Sequence, residues 1–277
     1  MNRKIRHRRY LWTIIIFAFL LIHIYPIFFM IQSSFKTTSE FGSQPIYTLP
    51  RNLYIENYKN AMKATQFPVL FVNTAIVTFA SVAFSLILSS MSAFAIVKMR
   101  FRYQHFLESF LSIGMFIPAF VLLLPQFLLL KDLDLLNSRP GLILIFSGNV
   151  SLAVFLLTSF YQFLPDEILE ASVIDGCGAY RMFWDVVIPM TVNGYVTVAM
   201  SLFFNIWNDL IISRTFTSSQ SMRMIQTGLS AFTDEFGTRK WGETFAAVTM
   251  ATIPTILFYL VMNRKIIDGL TAGSIKG

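Results

Sequence analysis

Between Leu164 and Pro189 the chain reads LPDEILEASVIDGCGAYRMFWDVVIP, a polar interruption between two hydrophobic runs. Glu170, Ala171, Ser172, Asp175 and Gly176 lie close together in it, and Val186, Ile188 and Pro189 close it. One carboxylate among small residues does not supply the nucleophile, base and oxyanion donors of an active site. It does supply a charged contact for another protein. Elsewhere the chain has no HExxH, no GxSxG and no Gly-Asp pair in an apolar run. The nearest approach to a phosphate-cradling loop is GTRKWGET, Gly237 to Thr244, where Glu243 stands at the position that needs lysine and would repel phosphate. The single cysteine, Cys177, excludes an intramolecular disulfide and a multi-cysteine metal site, and reads as a small residue in a turn. No catalytic, cofactor-binding or metal-ligating residue is assigned, so energy for work must come from a partner or a gradient.

The elements that position Glu170 follow from local chemistry. Pro165 with Asp166 and Glu167 directly behind it predicts a helix start, since proline suits the first helical position and carboxylates complement the positive end of the dipole. Gly176 and Gly178 offer a stop. A second short helix is predicted from Ala179 to Ile188, carrying Tyr180, Arg181, Met182, Phe183, Trp184 and Asp185. Neither reaches the roughly 20 apolar residues that cross a bilayer. Two short amphipathic helices in a turn lie at a membrane surface and present an apolar, acidic knob; an ordinary helical loop is the alternative.

Of 277 residues, 55% are hydrophobic, 29 are Phe and only 13% are charged, which excludes a soluble domain of this length. The chain is read as an all-α integral membrane protein. Six spans are predicted, at 11–31, 71–97, 107–130, 141–163, 191–213 and 244–262, and they must be helical because unpaired backbone is not tolerated in lipid. The first is too long for the apolar core of a cleaved signal and is read as retained. The net charge of +7 concentrates at Arg3, Lys4, Arg6, Arg8 and Arg9 and at Lys98, Arg100 and Arg102, a topology signal rather than a nucleic-acid footprint. Lys and Arg total twelve on the N-terminal side and ten on the other, but the dense clusters flank short segments, so both termini and the 164–189 loop are expected in the cytoplasm.

The fifth span carries Gly194, Thr197, Ser201, Asn205 and Asn208 at steps of three and four, a polar stripe on a helix otherwise rich in Phe, Met and Val. Hydroxyls and carboxamides beside Phe204 and Trp207 suit a neutral sugar, which offers both hydrogen-bonding groups and apolar C–H faces. Helix packing explains such a stripe equally well, and is preferred for Thr74, Thr78, Ser81, Ser85 and Ser89 in the second span.

The 164–189 segment resembles the EAA loop of ABC importer permeases: Glu170, Ala171 and Ser172, then Gly176, then Val186, Ile188 and Pro189 keep its spacing, with Ser for Ala, Val for Ile and Ile for Leu. The ending MNRKIIDGLTAGSIKG is similar to that of permeases in the maltose-type carbohydrate uptake group. Arg264, Gly269 to Gly273, Lys276 and Gly277 match, while Asn263, Ser274 and Ile275 depart. Trp207-Asn208-Asp209, Trp241, Gly242, Ala246, Ala247 and Pro254 also fit.

The resemblance implies the type I permease fold: a basic arm at 1–10, a first span at 11–31, a core of five spans at 71–262 with the coupling loop at 164–189, and a cytoplasmic tail at 263–277. It implies an ATP-driven importer in the cell membrane. The solute would be a carbohydrate, an oligosaccharide in particular, delivered by an extracytoplasmic binding protein; the partners would be a second permease and a pair of ATPases, which hold ATP and Mg. Glu170, Ala171, Ser172, Asp175 and Gly176 would couple to the ATPase, as would Thr271, Gly273, Ser274 and Lys276 in the tail, for which a frayed terminus is the alternative. Thr197, Ser201, Asn205 and Asn208 would line the path. Residues 218–240 would touch the binding protein or serve as a solvated connector. A non-sugar importer and a secondary transporter are the competing readings, the latter needing a mid-membrane ion site.

Overall fold

The computed structural model describes residues 3–235 and 240–274, with side chains described for 10, 12–230 and 240–263. All regular structure among the described residues is helical. In chain order the helices are α1 (Arg3–Ser33), α2 (Thr38–Ser43), α3 (Glu56–Ala64), α4 (Phe67–Lys98), α5 (Gln104–Ile113), α6 (Ala119–Asp132), α7 (Arg139–Gly148) and α8 (Ser151–Gln162). There follow α9 (Asp166–Ile174), α10 (Ala179–Met182), α11 (Ile188–Met190), α12 (Val192–Trp207), α13 (Ile211–Phe216), α14 (Ile225–Glu235) and α15 (Trp241–Ser274).

Three unbroken helical stretches are long and apolar enough to cross a bilayer, Trp12–Ser33, Phe67–Lys98 and Trp241–Asn263. Three bent pairs complete the possible six: Gln104–Phe116 with Ala119–Asp132 at 105°, Arg139–Gly148 with Ser151–Gln162 at 47°, and Ala179–Met190 with Val192–Trp207 at 81°. The straight spans expected at 107–130 and 141–163 are thus corrected to broken ones. In the first, a 3-10 turn over Gly114–Phe116 precedes Ile117, which is extended at φ −80°, ψ 116°, because it is followed by Pro118. In the second, Asn149 leaves the helical region at φ −83°, ψ 66°. The fifth span ends at Trp207 rather than at 213: the Asp209 carboxylate accepts the Ser213 amide at 2.8 Å and starts α13.

The chain forms two compact units, residues 1–68 with 228–253, and 69–227 with 254–277. In the first, Thr37 and Glu40 make a reciprocal capping box at α2, and Asn57 Nδ2 donates to the Ser34 and Lys36 carbonyls, both at 2.8 Å. Ala61 packs with Ala246 and Ala247, the small-residue contact that lets membrane helices approach closely. Gly242 serves the same end, since a Cβ there would sit 2.3 Å from the Lys36 carbonyl oxygen.

The second unit contains most of α4. Its stripe Thr74, Thr78, Ser81, Ser85 and Ser89 is fully buried at 0% exposure, as the packing reading expects. Ser89 Oγ donates back to the Ser85 carbonyl at 2.6 Å, and Thr74 Oγ1 accepts the Ile225 amide at 2.9 Å. Val77 joins Leu142, Phe146, Ile206 and Met224 in one apolar cluster, and Phe94 joins Leu157, Leu164, Leu169, Phe183 and Val187 in another.

Candidate functional site

Helix α9 begins at Asp166 behind an extended Pro165, φ −60°, ψ 130°, with Asp166 and Glu167 in its first turn. It ends in a Schellman closure: the Cys177 amide donates to the Ser172 carbonyl at 2.9 Å and the Gly176 amide to the Val173 carbonyl at 3.0 Å. That closure requires a left-handed residue. Gly176 adopts φ +79° and meets nothing within 4 Å, so its glycine is demanded by backbone conformation and not by crowding. The chain re-enters helix at α10, passes through one π turn at Phe183–Val187 and continues into α11. The π turn seats both Phe183 and Val187 in the core.

This hairpin divides by burial. Leu164, Leu169, Ser172, Met182, Phe183 and Val187 face inward, and Ser172 Oγ returns to the Leu169 carbonyl at 2.7 Å. Glu170, Ala171, Asp175 and Gly176 face outward, so the five residues expected to couple divide into one inner anchor, Ser172, and an outer face. Around the turn Ile174 is 86% and Tyr180 73% exposed, apolar side chains on a tip held by a buried base. Arg181 and Asp185 pair at 3.1 Å on the exposed face of the second helix.

The fifth-span stripe is not uniform. Gly194 is a packing residue, since a Cβ there would lie 2.7 Å from the Phe160 ring. Thr197 and Ser201 are half-buried, the Thr197 hydroxyl donating to the Asn193 carbonyl at 2.9 Å. Asn205 is exposed on the last turns of α12. Asn208 lies just past the helix end, also exposed, with its Nδ2 on the Phe204 carbonyl at 2.9 Å. Trp207, expected beside a sugar, is instead buried, stacked on Phe203 at 5.1 Å. It borders an apolar cavity of about 310 Å³ with Phe71, Phe79, Phe203, Leu257 and Phe258, whose walls lack the hydroxyls and carboxamides a sugar needs.

Thr271, Gly273 and Ser274 fall on the last turns of α15, their side chains outside the described residues, as is Lys276 altogether. Of the 218–240 stretch, residues 236–239 lie outside them too.

A family profile described as "Binding-protein-dependent transport system inner membrane component" matches residues 85–267, from the C-terminal half of α4 through the 164–189 loop and into α15. A diacetylchitobiose uptake system permease protein of Streptomyces coelicolor is 30% identical over 268 residues, covering 96% of this chain and 86% of its own. The chain belongs to the binding-protein-dependent inner membrane permeases. It is a multi-pass permease subunit of an ABC importer. A probable starch degradation products transport system permease protein of Thermoanaerobacterium thermosulfurigenes is 28% identical over 275 residues, covering 99% of both chains. A chain of a bacterial ABC transporter involved in import of the acidic polysaccharide alginate shares the fold, with a TM-score of 0.83 at 22% identity, over 95% of this chain and 98% of that one.

Two residues of the permease escaped the sequence reading. Lys98, counted there only as a topology charge, donates its Nζ to the Leu164 carbonyl at 2.9 Å and to Asp166 Oδ1 at 2.7 Å. Its hydrogen bond and charge, with a smaller contribution from Arg100, hold the Asp166 carboxyl below its ordinary range. Asn73 is fully buried and donates to the Ser221 and Arg223 carbonyls at 2.8 and 2.9 Å while accepting Arg139 Nε at 2.9 Å. A lone asparagine near the start of an apolar run was the available signal, because a buried carboxamide in a membrane helix needs partners.

Proposed function

We propose that this permease carries a carbohydrate, an oligosaccharide in particular, delivered by an extracytoplasmic binding protein and driven by ATPase subunits that bind ATP and Mg. A second, different permease completes the pathway. Both termini and the 164–189 hairpin lie in the cytoplasm, as the Lys and Arg clusters favour. The reading is supported above all by the hairpin: a tip of Ile174, Gly176 and Tyr180 with Glu170 outward, on a base packed into the helices, has the form of a knob for a cleft in another protein. ATP closure of the paired ATPases moves that knob, and the spans alternate between inward and outward access. For this to work the knob must meet the two ATPase states differently. Glu170 pairs with a donor in the cleft, Gly176 permits the turn, and the tail residues Thr271, Gly273, Ser274 and Lys276 add a second contact.

Carbohydrate is favoured by the C-terminal ending and by relatives named for diacetylchitobiose and starch degradation products. The path runs along Thr197, Ser201, Asn205 and Asn208, neutral groups for a neutral solute, and residues 218–240 meet the binding protein. The test is uptake by proteoliposomes holding both permeases and the ATPases, with the binding protein outside and ATP inside. Accumulation of a di- to tetrasaccharide is the expected result; accumulation of a peptide or amino acid with no sugar moved would overturn it.

A further inference from the structure

Helix α4 is hydrogen-bonded at both of its ends to segments that lie far apart in sequence. At one end, Asn73 fixes the Ser221 and Arg223 carbonyls and Thr74 fixes the Ile225 amide at 2.9 Å. At the other, Lys98, the last residue of the helix, bridges the Leu164 carbonyl and the Asp166 carboxylate. These acceptors flank Pro165, which has no N–H and cannot itself secure the turn into α9. The Lys98 side chain is 9% exposed against 77% for Asp166, so the cation is desolvated and spends its donors on this turn. Phe94, one turn earlier, packs in the same cluster as Leu164, Leu169 and Phe183. The 25 helical steps from Asn73 to Lys98 rise about 37 Å without a break, more than the roughly 30 Å of a hydrocarbon core. The two sets of contacts therefore lie at opposite membrane faces.

We propose that α4 holds the coupling hairpin and the 221–225 segment in one register, with Lys98 and Asn73 as its two positioning residues. This rests on the reading that the hairpin contacts the ATPase and that residues 218–240 meet the binding protein. A shift of the outer segment then reaches the base of α9 through one rigid element instead of through the broken spans α5–α6 and α7–α8.

The assembled transporter in proteoliposomes tests this with Lys98→Met, Lys98→Arg, Asn73→Ala and the Lys98→Met/Asn73→Ala double. The readouts are ATPase retained on purification, ATP hydrolysis without binding protein, and stimulation by loaded binding protein. Lys98→Met should keep attachment and unstimulated hydrolysis while stimulation falls about fivefold or more. Lys98→Arg should restore most of it, and the double variant should be no worse than the weaker single, because both act on one element. Unchanged stimulation in Lys98→Met, attachment lost in parallel with stimulation, or losses that multiply in the double would each overturn the proposal. If Lys98→Met does not accumulate in the membrane, Asp166→Asn tests the same contact at an exposed carboxylate, and undiminished stimulation there is equally fatal. A wild type that retains no ATPase would instead sink the coupling reading itself.

Discussion

Glu170 and Gly176 do different work six residues apart, one on helix α9 and one just past its end. Glu170 is exposed and carries no structural burden, so changing it should alter binding without unfolding the hairpin. Gly176 stands at φ +79° in open space, so Gly176→Ala adds only backbone strain, about 1–2 kcal/mol. The expected outcome is faster hydrogen exchange in residues 164–178 with the rest of the unit unchanged; unchanged exchange would mean that the turn relaxes freely. Asp166 makes a prediction about pH. Lys98 lowers its folded pKa from the unfolded value of 3.8, so its contribution is complete above that value and is lost only as pH falls through the lower folded one. Exchange in α9 should therefore be insensitive to this contact between about pH 5 and about pH 8, and a transition there in wild type but not in Asp166→Asn would contradict it. The spacing of Glu170 and Gly176 was readable because a helix stop needs glycine. The Lys98 bridge was not, because its partners lie 66 and 68 residues away.

At the scale of elements, the apolar runs at 107–130 and 141–163 gave no sign of the bends within them. The breaks at Ile117–Pro118 and Asn149 have local causes that a count of apolar residues averages away. Asp209 shows the same limit: its carboxylate starts α13, yet the apolar residues beyond it, Leu210 to Ile212, extended the apparent span. The serine and threonine stripe of α4 is fully buried, as packing requires; Thr74 and Ser89 return their hydroxyls to their own helix, and Ser85 donates to the Ser147 carbonyl at 3.3 Å. The α12 stripe resolves into a packed end at Gly194 and an open end at Asn205. A Cys177→Ser background bearing Asn205→Cys should react with polar thiol reagents in at least one transport state and be protected by substrate. Silence in every state would remove Asn205 from the path.

For the whole molecule, the sequence motifs carried the family, and the structure adds which residues hold the 164–189 hairpin to the helices around it. Composition pointed to the membrane, and helices such as Trp12–Ser33 and Phe67–Lys98, long and apolar enough to cross it, bear that out. The central claim is that the hairpin joins this permease to an ATPase through Glu170. Purification of the tagged chain from mild detergent, wild type against Glu170→Ala, tests it most directly. An ATPase and a second permease should co-purify with the wild type, and Glu170→Ala should lose most of the ATPase or its sugar-stimulated hydrolysis while keeping the second permease. A chain that purifies alone, without ATPase activity after reconstitution, or a Glu170→Ala variant with full attachment and full stimulated hydrolysis, would contradict the account.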